Sequence, residues 1–164
     1  LSQVARLFAR KGYNIESIVT GGTDRPNTAR LAISILADEL MINQIADQCR
    51  KLIPVLAVKI LDEATSIQRE FSLIKVRATD RNSRDEVIQM ANIFRANIID
   101  VGRDTLTVAI FGDRSKTRAL TDLLADFGIL EIAKTGTLAI ERGRSTIYDD
   151  NKLKEEYNYG KNVL

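Results

Sequence analysis

Histidine and tryptophan are both absent from this chain of 164 residues, cysteine occurs once, and aromatic residues make up only 5%. The missing histidine removes the commonest general base and the commonest metal ligand together. A single cysteine excludes an internal disulfide framework and suits a reducing compartment. Cys49 falls on the apolar face of a helical stretch, where it reads as buried filler rather than as a reactive thiol. No zinc-type cysteine cluster, Walker loop or Gly-x-Ser-x-Gly elbow is present. No apolar run approaches the roughly 20 residues that a membrane-spanning helix requires. Carboxylates are plentiful, but they fall on helix surfaces and turns, where solvation explains them. Catalysis by this chain alone is therefore disfavoured. A formal charge of +2 is too close to neutral to indicate nucleic acid by itself.

What is present is a 45% apolar content, enough for one ordinary domain or two small ones. Leu1, Val4, Ala5 and Phe8 already follow helical spacing with no cap ahead of them, so the sequence is expected to start inside an element. That helix runs to about Lys11 and stops at Gly12, which takes the left-handed conformation of a C-terminal cap. A strand over residues 14–20 follows, then turn chemistry over 21–27. Residues 29–36 alternate: Leu31, Ile33 and Ile35 face one way, Arg30, Ala32 and Ser34 the other. Asp38 caps a second helix with an apolar stripe of Met41, Ile42, Ile45, Cys49 and Leu52, ended by Pro54. Residues 55–61 read as a further strand and 62–69 as a polar linker.

The order then repeats. Residues 71–79 read as a strand, Ser83 to Glu86 as a capping box, and Val87, Met90, Ala91 and Phe94 as the helix stripe behind it. Two strands over 97–101 and 105–111 flank a turn at 102–104. Ser115 is the expected cap of a last helix that buries Leu120, Leu123, Leu124 and Phe127 and closes at Gly128, before a final strand over 129–135. The class is α+β: two ferredoxin-like (βαββαβ) sandwiches, the first lacking its opening strand in this chain. The division is 1–62, 70–143 and a polar extension over 144–164, with a helical stretch around 152–157 and Tyr148, Tyr157 and Tyr159 as a solvated tail or a partner contact. Ala5-Arg-Leu-Phe8 against Ala91-Asn-Ile-Phe94, each leading to an Asn-Ile pair, echoes the repeat at unequal spacing. A bare sheet face carrying Ile18 and Ala32 predicts pairing between copies.

Leu1-Ser-x-Val-Ala-x-Leu-Phe8 followed by Lys11-Gly-Tyr-Asn-Ile-Glu-Ser-Ile18 resembles the ACT domain of acetohydroxyacid synthase (acetolactate synthase) small subunits. Arg84-Asp-Glu-Val87, Phe94-Arg-Ala96, Ile98-Ile-Asp-Val101, Thr135-Gly136 and Arg142-Gly143 resemble the second domain of the same family, so the likeness covers about residues 1–143. Gln3 stands where the family has arginine and Ala29 where serine is usual. A glycine-containing loop ahead of the first helix is not in the sequence.

The resemblance implies a non-catalytic regulatory subunit that activates a separate large subunit and makes it sensitive to feedback by valine. It places thiamine diphosphate, Mg and FAD on that partner and none on this chain, with no metal, nucleic acid or membrane. It also implies a homodimer through ACT domains, located in the cytoplasm or, in a photosynthetic eukaryote, the plastid stroma. The effector site would comprise Asn14, Ile15, Ser2 and Leu1. Backbone donors at the helix start suit a carboxylate. Asn14 offers an acceptor and donors to a zwitterion, and Ile15 offers apolar contact. Valine exceeds alanine by two carbons, about 0.8 kcal/mol each, or roughly tenfold in affinity. Asn14 has a plainer reading, that it satisfies the corner after Gly12, and Ser2 reads equally as a helix-surface residue. The rival functions are an ACT-type sensor serving a different enzyme and an RNA-binding ferredoxin-like module. The latter needs aromatics near the middle of an open sheet, whereas Phe71 and Phe111 lie towards strand ends.

Overall fold

The computed structural model describes residues 1–149, so the expectations for 152–157, Tyr157 and Tyr159 lie outside the described residues. Helix α1 (Ser2–Lys11) buries Val4, Leu7 and Phe8, the i, i+3, i+4 spacing of one helical face. Strands β1 (Ile15–Gly22) and β2 (Ala29–Ile35) form a two-stranded sheet. Helix α2 (Glu39–Arg50) follows, with Asp38 accepting the Met41 N–H at 2.8 Å and Ile45, Ala46 and Cys49 buried. Helices α1 and α2 pack against each other.

The second half is a full βαββαβ unit. It comprises β3 (Ser66–Arg77), α3 (Arg81–Ile93), β4 (Asn97–Val101), β5 (Thr105–Gly112), α4 (Arg114–Leu124), a 3-10 turn (Ala125–Phe127) and β6 (Ile129–Lys134). The sheet order is β4-β5-β3-β6, and a further strand β7 (Leu138–Glu141) pairs with β3. One face of this sheet carries Ile74, Val76, Leu106, Val108 and Ile110, which pack with Val87 and Ala91 of α3 and Leu120 and Leu124 of α4. The molecule is thus α+β with two ferredoxin-like sheets, as expected.

Several local expectations change. Residues 55–61 form no strand. In the second half the last strand, β6, pairs with the first, β3, whereas residues 55–61 pair with no strand among the described residues. Side chains hold them instead: Arg50 donates to Val58 O (3.3 Å), and Lys59 pairs with Glu141 and donates to Thr146 O (3.1 Å). The stretch 62–69 is not simply a linker, because β3 already begins at Ser66, which is buried. The caps also shift by a few residues. Asp80, not Ser83, caps α3, accepting the Ser83 N–H at 2.9 Å, while Ser83 supplies the reciprocal half of the box. Asp113, not Ser115, caps α4, accepting the Lys116 N–H at 2.8 Å. In both places a carboxylate outcompeted a nearby hydroxyl for the first-turn donors. Strand β2 shows no burial alternation, since every residue from Arg30 to Ile35 is half-buried.

The compact units interleave along the chain. One contains Leu1–Glu16, Ile33–Ile67 and the described residues from Ala139 on; the other contains Ser17–Ala32 with Gln68–Leu138. The body of the β1–β2 hairpin therefore belongs to the same unit as the second sheet.

Candidate functional site

The corner between α1 and β1 is built by the backbone. Gly12 has φ 68°, and its N–H and that of Tyr13 both reach Phe8 O, the latter at 3.3 Å. Tyr13 packs edge-on against Phe8, with ring centroids 5.7 Å apart and planes at 77°, a favourable aromatic geometry. Asn14 follows at the surface, and its side chain makes no hydrogen bond among the described residues. The corner is closed without it. Ile15, half-buried, opens β1.

Leu1 and Ser2 stand at the other end of α1. A helix of 10 residues spans about 15 Å, so one chain keeps Leu1 and Ser2 well apart from Asn14 and Ile15. Ser2 is the first residue of α1 and not its cap; that position is Leu1, 64% exposed, with no side-chain acceptor for the first-turn donors. Among the described residues the other three α-helices each have an aspartate as N-cap: Asp38, Asp80 and Asp113.

Elsewhere the chemistry is quiet. Cys49 is buried, and burial pushes its thiol up in pKa against an opposing pull from Arg50, which leaves it a poor nucleophile. Among the described residues no group of His, Cys, Asp and Glu side chains has the make-up of a metal site, and no helix is long and apolar enough to cross a membrane. Arg95 and Asp100 form no ion pair with each other among the described residues. On the sheet face away from α3 and α4, the middle register pairs are Leu73↔Ala109 and Lys75↔Thr107, and the aromatic pair Phe71↔Phe111 lies at one end. That is not the central platform on which RNA bases stack.

Arg84 has a role that sequence reasoning missed. Its guanidinium donates to Ala78 O (3.1 Å), Gly102 O (2.6 Å) and Arg103 O, tying the β4–β5 turn to the end of β3. An arginine in the first turn of a helix gives no hint of such a distant target.

Two family descriptions match the chain: an AHAS small subunit-like ACT domain over residues 1–57, and the small subunit of acetolactate synthase over residues 69–143. The chain belongs to the acetolactate synthase small-subunit family. The acetolactate synthase small subunit of Mycobacterium bovis is 44% identical over 143 residues, covering 87% of this chain and 84% of that protein. That of Aquifex aeolicus is 39% identical over 152 residues, covering 93% and 79%. The crystal structure of the Thermotoga maritima acetolactate synthase small subunit superposes with a TM-score of 0.79 at 40% identity, covering 88% of this chain and 89% of that one. As an acetolactate synthase small subunit with a regulatory ACT domain, the chain has a catalytic large subunit as its partner.

Proposed function

We propose that this small subunit activates the acetolactate synthase large subunit and confers feedback inhibition by valine, taking no part in the chemistry itself. Thiamine diphosphate, Mg and FAD then reside on the large subunit. Two copies pair through their ACT domains, and the effector lies across the pair. Asn14 and Ile15 come from one protomer, and the start of α1 with Leu1 and Ser2 comes from the other. The separation of these groups along α1 supports a shared pocket only between copies.

The observation that carries the reading is the unengaged amide of Asn14 beside a corner already closed by Gly12 and Tyr13. An exposed amide with free donors and a free acceptor suits a ligand bearing both carboxylate and ammonium. Leucine at the cap position of α1 leaves first-turn N–H groups available to the carboxylate, favoured further by the helix dipole. Feedback is then a linkage: if valine prefers one arrangement of the pair, binding of the large subunit shifts valine affinity reciprocally.

The test is to combine the chain with its cognate large subunit and measure acetolactate formation with and without valine, for the native sequence and for Asn14→Ala. Activation should survive the substitution, while the valine needed for half-inhibition rises by roughly tenfold, the equivalent of one lost polar contact of about 1.4 kcal/mol. Parallel loss of activation and inhibition would instead report a folding defect. Failure of the native chain to respond to valine would reject the effector assignment.

A further inference from the structure

Gly136 sits in the turn between β6 and β7 with φ +83°, directly against β1. A Cβ placed there would lie 2.7 Å from Ser17 Cβ, 2.9 Å from Ser17 Oγ and 3.2 Å from Val19 Cγ2. Carbon atoms at optimal contact stand about 3.5–4.0 Å apart, so the turn and the Ser17/Val19 face of β1 approach as closely as only glycine permits. Gly143 provides the contrast: its φ is +73°, yet nothing stands within 4 Å of the corresponding Cβ position. The turn is also fastened to the second sheet. Thr135 N–H donates to Phe71 O (3.0 Å), and Phe71 N–H donates to Thr135 Oγ1 (3.1 Å). Ser17–Ala32 and Gln68–Leu138 accordingly form one compact unit. Asn14 and Ile15 precede Ser17 on the same run of chain.

We infer that Gly136 is a positioning residue for the regulatory response: it seats β1 on the second sheet, so that a displacement of Asn14 and Ile15 is felt by the module that follows. The effector half of this inference rests on the function proposed above; the seat does not. Replacing Gly136 by alanine introduces both backbone strain and a collision, whereas Gly143→Ala introduces only the strain. The difference between the two variants isolates the contact. Removing the opposing Cβ with Ser17→Gly should then rescue the collision.

The experiment uses the full chain with its large subunit and compares the native sequence, G136A, G143A and the double variant S17G/G136A. Without effector, amide exchange over residues 17–22 should be at least roughly tenfold faster in G136A than in G143A, and the double variant should recover most of that difference. Equal exchange in G136A and G143A, or no recovery in the double variant, overturns the seat. With valine, calorimetry on G136A should still show binding, while inhibition at saturating valine falls to less than about half of native. Native inhibition in G136A overturns the coupling. If the native chain binds no valine, the effector reading fails and the exchange comparison still decides the seat. A G136A chain that has lost its fold shows it by lost protection across β3 and β5. Recovery of that protection in S17G/G136A then supports the seat, and its absence overturns it.

Discussion

The two halves of the chain turn the same corner with different residues. Helix α1 is followed by Gly12 and α3, beyond its cap Phe94, by Arg95, both left-handed, at φ 68° and 52°. In each case the next N–H reaches back five residues, Tyr13 to Phe8 O and Ala96 to Ala91 O at 2.8 Å. Counted from that residue, Asn14 matches Asn97 and Ile15 matches Ile98. The unequal spacing of the Phe-to-Asn echo disappears, because Phe8 corresponds to Ala91 and not to Phe94. The second helices match too: Asp38 and Asp113 cap them, and Ile45 and Cys49 stand where Leu120 and Leu124 do. What differs is the surroundings. The second half has a five-stranded sheet and a core of residues at or near zero exposure, whereas among the described residues the first half has a two-stranded sheet and leaves residues 55–61 without strand pairing. The repeat conserves local turning devices, and the halves diverge in what those devices are free to do. Asn14 follows a helix whose N-cap is Leu1, while Asn97 follows a helix closed by the Asp80 box.

The largest test of the comparison is the core. Leu120→Ala should cost about 2–5 kcal/mol, read as a fall in the denaturant midpoint, because Leu120 is fully buried in the core between two helices and the five-stranded sheet. Its counterpart Ile45→Ala should cost less, since Ile45 lies outside that core cluster and is slightly less enclosed, at 5% exposure. A larger loss at Ile45 would show that the first half is the better packed.

Next comes the paired asparagine. Asn97→Ala should leave valine inhibition within about twofold of native, against the roughly tenfold change expected at Asn14. Equal effects would mean that the second corner also reads the effector. A smaller effect is expected from exchanging the turning residues. Gly12→Ala should destabilise by about 1 kcal/mol, and Arg95→Gly should stabilise by about 0.5 kcal/mol once the added freedom of the unfolded chain is subtracted. Thermal unfolding checks both, and a destabilising Arg95→Gly would show that the arginine side chain contributes more than its backbone strain costs.

The smallest effect is electrostatic. The Ser83 N–H and hydroxyl hold the Asp80 carboxyl below the usual aspartate range, and the Ser115 hydroxyl with the Lys116 N–H does the same for Asp113. A carboxyl lowered in the folded state contributes stability above its unfolded pKa and loses it as pH falls through the folded value. The first turns of α3 and α4 should therefore lose exchange protection on acidification below the ordinary aspartate range, whereas the first turn of α1, capped by Leu1, should show no such change. Both carboxyls are exposed, so solvent keeps the effect modest.

Most of the fold was legible because most of it is local. Most of each helical stripe, the left-handed stop at Gly12 and the order of elements from β3 through β6 followed from spacing and turn chemistry, but Met41 and Leu123, expected in the buried stripes, are exposed. The caps were misplaced by two or three residues because several polar side chains stood within reach of the same first-turn donors, and only geometry selects among them. The candidate site was half legible. Asn14 and Ile15 were marked by the corner and by family likeness. The freedom of the Asn14 amide emerged only once Gly12 and Tyr13 were seen to close the corner themselves. The stretch 55–61, expected as a strand, is held instead by Arg50 on Val58 O and by Lys59 on Glu141, contacts that composition does not encode.

By itself, the amino-acid sequence determined which stretches are helical, which faces are mostly apolar and which family the chain resembles, since each of these depends on residues a few positions apart. Tertiary structure alone decided the addition of β7 to β3, the clasp of Lys59 on Glu141, the reach of Arg84 to three carbonyls and the seating of Ser17 on Gly136. Those contacts join residues far apart in the chain, and their partners are chosen by distance in space, which no local pattern of side chains encodes.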